Sequence, residues 1–458
     1  MTLPPRSLST HGYALHCDEY ELTMAQSFLR RGQTERVCFE LVVRTLPPQR
    51  GYLVVAGLEQ ALAYLIGLRF DDADIAYLES LGSYGRLFID HLRGLRFSGD
   101  VDAIAEGTVV GAGVPLLRIT APRVEATLVE SALLALVNHQ TLIASKAARV
   151  VDAAAGRHVW DFSLRRDHGP EAAVAVARAS YVAGAEGTAT VVAGRLLGIP
   201  ITGTMAHHFV LAYGPAGELE AFSQFLRDYP DRAVLLVDTY DTVRGVQRAI
   251  EAARATDVRL SGIRLDSGDL DTLAVLSRAQ LDAEGFEDTR IVASNDLDEY
   301  RIRDLVAAGA PIDSFGVGTR MGTSYDAPAL SGIYKLVAQE VAGVMQPVMK
   351  LSEEKRNDPG IHQLFRDEAG DTLGLEAETL PGRRLLHAVI RRGELCAELP
   401  ELAEIRRHCL AERDRLPSAV RGIEDPQPLP LRRSAALEAL LATLGSDAAH
   451  VTHRGVIA

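Results

Sequence analysis

An irregular (β/α) barrel joined to a second α+β domain is the fold this sequence predicts. Beyond residue 155, apolar β-branched runs end in polar or glycine residues and lead into helical patterns, the texture of buried parallel strands alternating with helices. Run ends at Val237, Leu265 and Ala293 stand 28 residues apart and Val317 follows 24 later, close to the roughly 30 residues of one strand-helix unit. Polar residues also collect at successive run ends: Arg165, 204–208, 238–241, 264–269, 294–296 and 316–319. A barrel carries all such ends to one face, whereas an open sheet gathers only a few at its switch point.

Taken in order, the chain opens with a helix over 20–31, a strand over 37–44, a proline turn at 47–51, then a short strand and a helix beginning near Gly57. Residues 75–95 read as helical. Short strands follow over 95–120, broken by glycines and closed by Pro115, and a long apolar helix spans 124–154. The barrel strands are expected at 159–162, 189–192, 199–201, 234–237, 260–265, 291–293 and Ser314–Val317. Later strands are expected over 337–341 and 344–351, with a charged insertion at 353–358 and a small β region to 389. Helices over 400–416 and 431–445 come next, and the last dozen residues carry no pattern. The expected division is 1–123 as an N-terminal α+β domain, 124–335 as the barrel with the active site, and 336–458 as a segment packing with the first domain.

Composition narrows the function. The 458 residues are 47% hydrophobic and 24% charged, enough for two or three sizeable cores. A net charge of -13 argues against nucleic-acid binding, so a basic cluster here serves a small anion. The four cysteines are scattered without metal or disulfide spacing. No apolar run reaches the roughly 18 to 20 residues of a membrane span, and residues 1–11 lack signal-peptide character, so the cytoplasm is the expected location.

The chemistry-bearing residues sit at the run ends. Arg264, Asp266, Ser267 and Asp269 follow an apolar strand, where arginine can clamp an anion and carboxylates can hold a ribose or a metal; capping of the next helix is the plainer alternative. Phe162 stands three residues before Arg165 and Arg166, so an anionic ring can stack on one and pair with the other, or the Phe is core and the arginines solvated. His207 and His208 meet a helix start, as base, metal ligand, nucleophile or structural residue. Asp238 and Asp241 end another strand, with N-capping again the alternative. Gly316, Gly318 and Thr319 have the composition of a phosphate cradle, with Ser294, Asn295 and Asp296 one unit earlier as neighbours.

Together with Asp18-Glu19-Tyr20-Glu21-Leu22-Thr23-Met24, Phe39-Glu40-Leu41 and Gly51-Tyr52-Leu53-Val54-Val55-Ala56-Gly57-Leu58, these segments resemble, in order from Leu15 to about Leu351, the nicotinate phosphoribosyltransferases of the type II phosphoribosyltransferase family. The resemblance implies that the enzyme joins nicotinate to 5-phosphoribosyl 1-diphosphate, giving nicotinate mononucleotide and pyrophosphate in NAD salvage. It further implies ATP hydrolysis through a phosphohistidine at His207, and a homodimer with shared active sites in which Tyr20 reaches the partner's ring. Thr204 and Arg264 would contact nicotinate, Phe162 and Arg165 stack on and orient it, and Thr319 bind the ribose phosphate. Asp266 would meet the ribose or a Mg2+ ion, with Gly316, Gly318 and Asn295 lining the phosphate pocket and Asp238 and Ser267 joining the substrate-binding set. Thr190 stands where nicotinamide-using relatives carry an aspartate; a carboxylate there would repel nicotinate, so Thr190 favours the acid over the amide. The sequence departs from the family pattern at Cys17 and Glu19 and in the loop 351–360.

Overall fold

The structure is a computed structural model that describes residues 13–350 and 357–454, with side chains as far as residue 445. Part of the charged loop noted above, residues 351–356, lies outside the described residues, as do residues 1–11. The chain divides into two compact units, one of Met1–Leu142 with Ala329–Ala458, the other of Ile143–Pro328.

In the first unit, strands from both ends of the chain share one antiparallel sheet. Its order is Val344–Pro347, Gly332–Val341, Arg36–Val43, Pro115–Pro122, Asp100–Ile104, Leu386–Arg391 and Glu394–Leu395. Val37, Leu41, Ile119 and Val101 point into a core that also takes Leu62, Leu65 and Phe88 from the helices Leu58–Gly67 and Arg86–Gly94. The first half of helix Glu130–Ala153 belongs here too, burying Leu133, Val137 and Leu142. Across the sheet, Glu40 meets the imidazole of His362 at 2.7 Å with both side chains buried. Burial opposes the imidazolium, yet the Glu40 carboxylate holds His362 above its ordinary pKa. Among the described residues no helix is long and apolar enough to cross a membrane, and the four cysteines are free thiols.

Several local expectations change. Pro115 opens a strand instead of closing one, and the register with Arg36–Val43 slips where the proline has no N–H to give. The helix expected over 124–154 is broken at Val129 into Arg123–Leu128 and Glu130–Ala153. Residues 431–433 extend a second sheet by pairing with Gly370–Leu375, and the final helix, Ala435–Arg454, continues through residues that showed no pattern.

The second unit holds the parallel sheet, in the order Gly187–Thr188, His158–Asp161, Ser314–Val317, Arg290–Ala293, Gly262–Leu265 and Val234–Leu236. The last strand in sequence, Ser314–Val317, pairs with the first, His158–Asp161, which is the strand order of a barrel and not of an open sheet, although no ladder among the described residues joins the end strands Gly187–Thr188 and Val234–Leu236. The ring is irregular. The run expected as a strand at 189–192 is a helix, Val191–Leu197, whose Val191 is 66% exposed, and the 199–201 run supplies only a single bridge from Ile201 to Thr188. Neighbouring strands end within two residues of one another: Asp161 pairs with Val317 and Thr188, Ala293 with Phe315 and Leu265, and Leu236 with Arg264. The residues immediately beyond therefore converge on one mouth.

Candidate active site

At that mouth lies a cavity of about 660 Å3, walled by the turns that follow all the barrel strands except Val234–Leu236. The strand Gly262–Leu265 delivers Arg264 to it as an inward-facing residue. Nη1 of Arg264 donates to Thr204 Oγ1 at 2.6 Å, while Nε is buried with no hydrogen-bond partner. Burial pushes the guanidinium pKa below its ordinary value, with Asp266 and Asp238 opposing and Arg165 adding to the shift. Arginine nevertheless stays cationic at neutral pH, so the cavity holds a partly desolvated positive charge with donor capacity to spare.

Asp266 lines the cavity beside it. Its Oδ1 accepts from Ser294 Oγ in a short hydrogen bond, and its Oδ2 stands 3.6 Å from Nε2 of His207. His207 opens the helix His207–Leu211, and its Nδ1 lies 3.2 Å from Thr239 Oγ1, so the ring is oriented from both sides. His208 is exposed and outside the cavity wall.

Phe162, Arg165 and Arg166 line the cavity together with Arg264. The backbone N–H of Phe162 donates to the Val317 carbonyl at 2.8 Å, and its ring lies on Gly316, where a Cβ would collide with it. Gly316 lines the cavity, and its missing side chain makes room for the Phe162 ring. Gly318 precedes the short helix Thr319–Gly322, and Thr319 lines the cavity together with the 294–296 turn. There Asn295 and Asp296 hold left-handed φ angles of 88° and 38°, a strain on the order of 1 kcal/mol each that clusters at functional sites.

Four expected contact residues, Asp238, Ser267, Thr190 and Tyr20, have other places. Asp238 and Ser267 do not line the cavity. Asp238 Oδ2 accepts from the Asp266 backbone N–H at 2.9 Å and from Ser267 Oγ at 2.6 Å, so the pair braces the turn that presents Asp266. Asp241, by contrast, is the helix cap, accepting from Arg244 N–H at 2.8 Å. Thr190 is fully buried with its hydroxyl unpartnered, and Ala189 takes the place on the cavity wall. Tyr20 belongs to the first unit, 44% exposed on helix Glu19–Arg30, its hydroxyl pKa pushed up to about 12 by burial and by Glu130. Arg166, Ser294 and Asp296, to which the family resemblance gives no role, also line the cavity.

The profile of the nicotinate phosphoribosyltransferase N-terminal domain matches residues 15–138, and that of the C-terminal domain matches 332–441. Nicotinate phosphoribosyltransferase pncB2 of Mycobacterium tuberculosis is 45% identical over 427 residues, covering 92% of this chain and 91% of its own. The chain belongs to the nicotinate phosphoribosyltransferase family. The Bacillus subtilis nicotinate phosphoribosyltransferase is 39% identical over 454 residues, covering 91% of this chain and 92% of its own. An alignment covering nine-tenths of the chain runs through the cavity as well as the flanking profiles. The crystal structure of human nicotinic acid phosphoribosyltransferase superposes with a TM-score of 0.81 at 28% identity, covering 93% of this chain and 99% of that one. A nicotinate phosphoribosyltransferase of this family is an enzyme, and its α/β barrel with a separate domain is the fold found here.

Proposed function

We propose that the cavity takes nicotinate against Phe162, with its carboxylate on Arg264 and Thr204, and 5-phosphoribosyl 1-diphosphate towards Asn295, Gly318 and Thr319. The observation that carries this reading is Arg264: a half-buried cation whose Nη1 bonds Thr204 and whose Nε is unpartnered, in a cavity that an aromatic ring also lines. A flat aromatic acid supplies the ring and the anion that this arrangement lacks.

In the transfer, the pyridine nitrogen attacks C1 of the ribose as the C1–O bond to the diphosphate breaks, and the bonding pair leaves on pyrophosphate. The nitrogen is unprotonated at neutral pH, so the protein needs no strong base; it needs alignment and neutralisation of the leaving charge. His207 is then available to accept a phosphoryl group from ATP, with Thr239 on Nδ1 and Asp266 beside Nε2 holding the ring.

A Mg2+ ion fits this site only as a passenger of the substrate. Among the described residues no three His, Cys, Asp or Glu side chains converge to hold a metal, whereas Asp266 and Asp296 offer the one or two carboxylates that Mg2+ uses when phosphates supply its other ligands. The ion would neutralise diphosphate charge. A homodimer follows from the same reading, with the exposed Tyr20 of one subunit offered to the partner's ring site.

The test is pyrophosphate release by purified enzyme given phosphoribosyl diphosphate and, in turn, nicotinate, nicotinamide or quinolinate. Nicotinate is expected to be strongly preferred. Turnover of nicotinamide with nicotinate ignored would contradict the assignment of the cationic pocket.

A further inference from the structure

We propose that Asp161 is a positioning residue that ties together two neighbouring stretches of the cavity wall against which the flat base lies, the Phe162–Arg165 turn and Ala189; this rests on the nicotinate reading above. Its carboxylate is fully buried at the end of strand His158–Asp161. Oδ1 accepts from the Ser163 backbone N–H at 3.0 Å and from Ser163 Oγ at 2.6 Å, and Oδ2 accepts from Thr188 Oγ1 at 2.7 Å.

Each contact leads to a wall. Ser163 lies between Phe162 and Arg165, so its two bonds hold the turn that carries the ring and the guanidinium. Thr188 accepts the Thr190 N–H at 2.9 Å and precedes Ala189, whose own N–H donates to the Asp161 carbonyl at 2.8 Å. Burying a carboxylate is costly unless its lone pairs are filled, and an apolar residue would fill this strand position more cheaply. What the carboxylate adds is direction: one side chain ties the Phe162–Arg165 turn to the Ala189 wall.

A second acid shares the hydroxyl. Ser163 Oγ is 2.9 Å from Asp167 Oδ2, and Asp167 Oδ1 is buried without a hydrogen-bond partner. A serine has one proton to donate, so Ser163 cannot serve both carboxylates fully. The complete chain, Asp167 O–H to Ser163 Oγ and Ser163 O–H to Asp161, exists when Asp167 is protonated. The groups facing Asp167 are Asp161 from the strand, His168 from its own turn, and uncharged Gly322 from helix Thr319–Gly322, packed so closely that a Cβ there would overlap both Ser163 and Asp167. Burial, helped by Asp161 and opposed by Ser163 and His168, pushes the Asp167 carboxyl up to about 6; burial also raises Asp161, but the hydrogen bonds from Ser163 and Thr188 favour its ionised form, so Asp167, which accepts none but the shared serine, is the acid assigned the proton. Raising the pH through that value removes the donor to Ser163, so the slot loosens and the nicotinate KM rises.

Steady-state kinetics of the intact enzyme, with nicotinate and phosphoribosyl diphosphate varied separately across pH, test this. Asp161→Asn presents one acceptor oxygen where the carboxylate presents two. It is expected to raise the nicotinate KM about tenfold while the phosphoribosyl diphosphate KM and kcat change by less than about threefold. Ser163→Ala is expected to show the same split and stands in if Asp161→Asn does not fold. Asp167→Asn, whose amide donates to Ser163 at every pH, is expected to keep the nicotinate KM low and flat where the wild-type value climbs. A folded Asp161 or Ser163 variant with a wild-type nicotinate KM overturns the proposal, as does an Asp167→Asn enzyme that keeps the wild-type pH dependence. Wild-type enzyme that ignores nicotinate overturns the reading beneath it, whereas turnover of nicotinate beside an unaffected Asp161→Asn overturns the positioning role alone.

Discussion

Replacing Arg264 with alanine is expected to raise the nicotinate KM by about 30- to 150-fold, the equivalent of about 2 to 3 kcal/mol of lost charge-assisted bonding. The size follows from the setting of the side chain. Arg264 is held in place by its own strand and by the 2.6 Å bond to Thr204, so little ordering is needed when a carboxylate arrives. The contact is made to the ring carboxylate, which does not change charge during the transfer, so ground state and transition state lose it alike and kcat falls less than kcat/KM. Arg264→Lys is expected to restore only part of the affinity, because a point charge cannot bond Thr204 and a carboxylate with one planar fork. Kinetics at saturating phosphoribosyl diphosphate measure this, and an unchanged nicotinate KM would show that Arg264 does not touch the ring.

The second large effect is expected at His207. His207→Ala should abolish nicotinate-dependent ATP hydrolysis while leaving a weaker transfer that does not depend on ATP. The two activities separate because the transfer itself relies on alignment and charge neutralisation by Arg264, Thr319 and the 294–296 turn, none of which needs a histidine nucleophile. The imidazole lines the cavity between Thr239 on Nδ1 and Asp266 beside Nε2, which fixes the ring where a phosphoryl donor would meet it. Labelled phosphate from γ-labelled ATP is expected on the wild-type protein and not on the variant. Label that stays on His207→Ala would move the phosphoryl acceptor elsewhere.

What could be read in advance follows the physics of each residue. Strand ends were legible because buried parallel strands must be apolar, so Asp238, Arg264, Ser294 and Gly318 announce where each strand stops and the mouth begins. The helix Val191–Leu197 was not, because a short β-branched run carries no period, and its exposed valines are distinguished from strand residues only by the fold around them. The direction of loop side chains was equally hidden. Asp238 and Asp266 look alike in sequence, yet one braces a turn and the other enters the cavity, a distinction set by the 2.9 Å bond from the Asp266 N–H. Gly316 showed the composition of a phosphate cradle, while its constraint comes from the Phe162 ring more than 150 residues away in the chain. Asp161 did leave a signal, an acid inside an apolar run, but its partners Ser163 and Thr188 meet only once the strands pair.

The most direct measurement is a crystal structure of the enzyme with nicotinate and a non-reacting phosphoribosyl diphosphate analogue. The predicted result places the pyridine ring on Phe162, its carboxylate on Arg264 and Thr204, and the phosphate groups at the turns carrying Asn295, Gly318 and Thr319. Nicotinate bound away from Arg264, or phosphates held outside those turns, would contradict it.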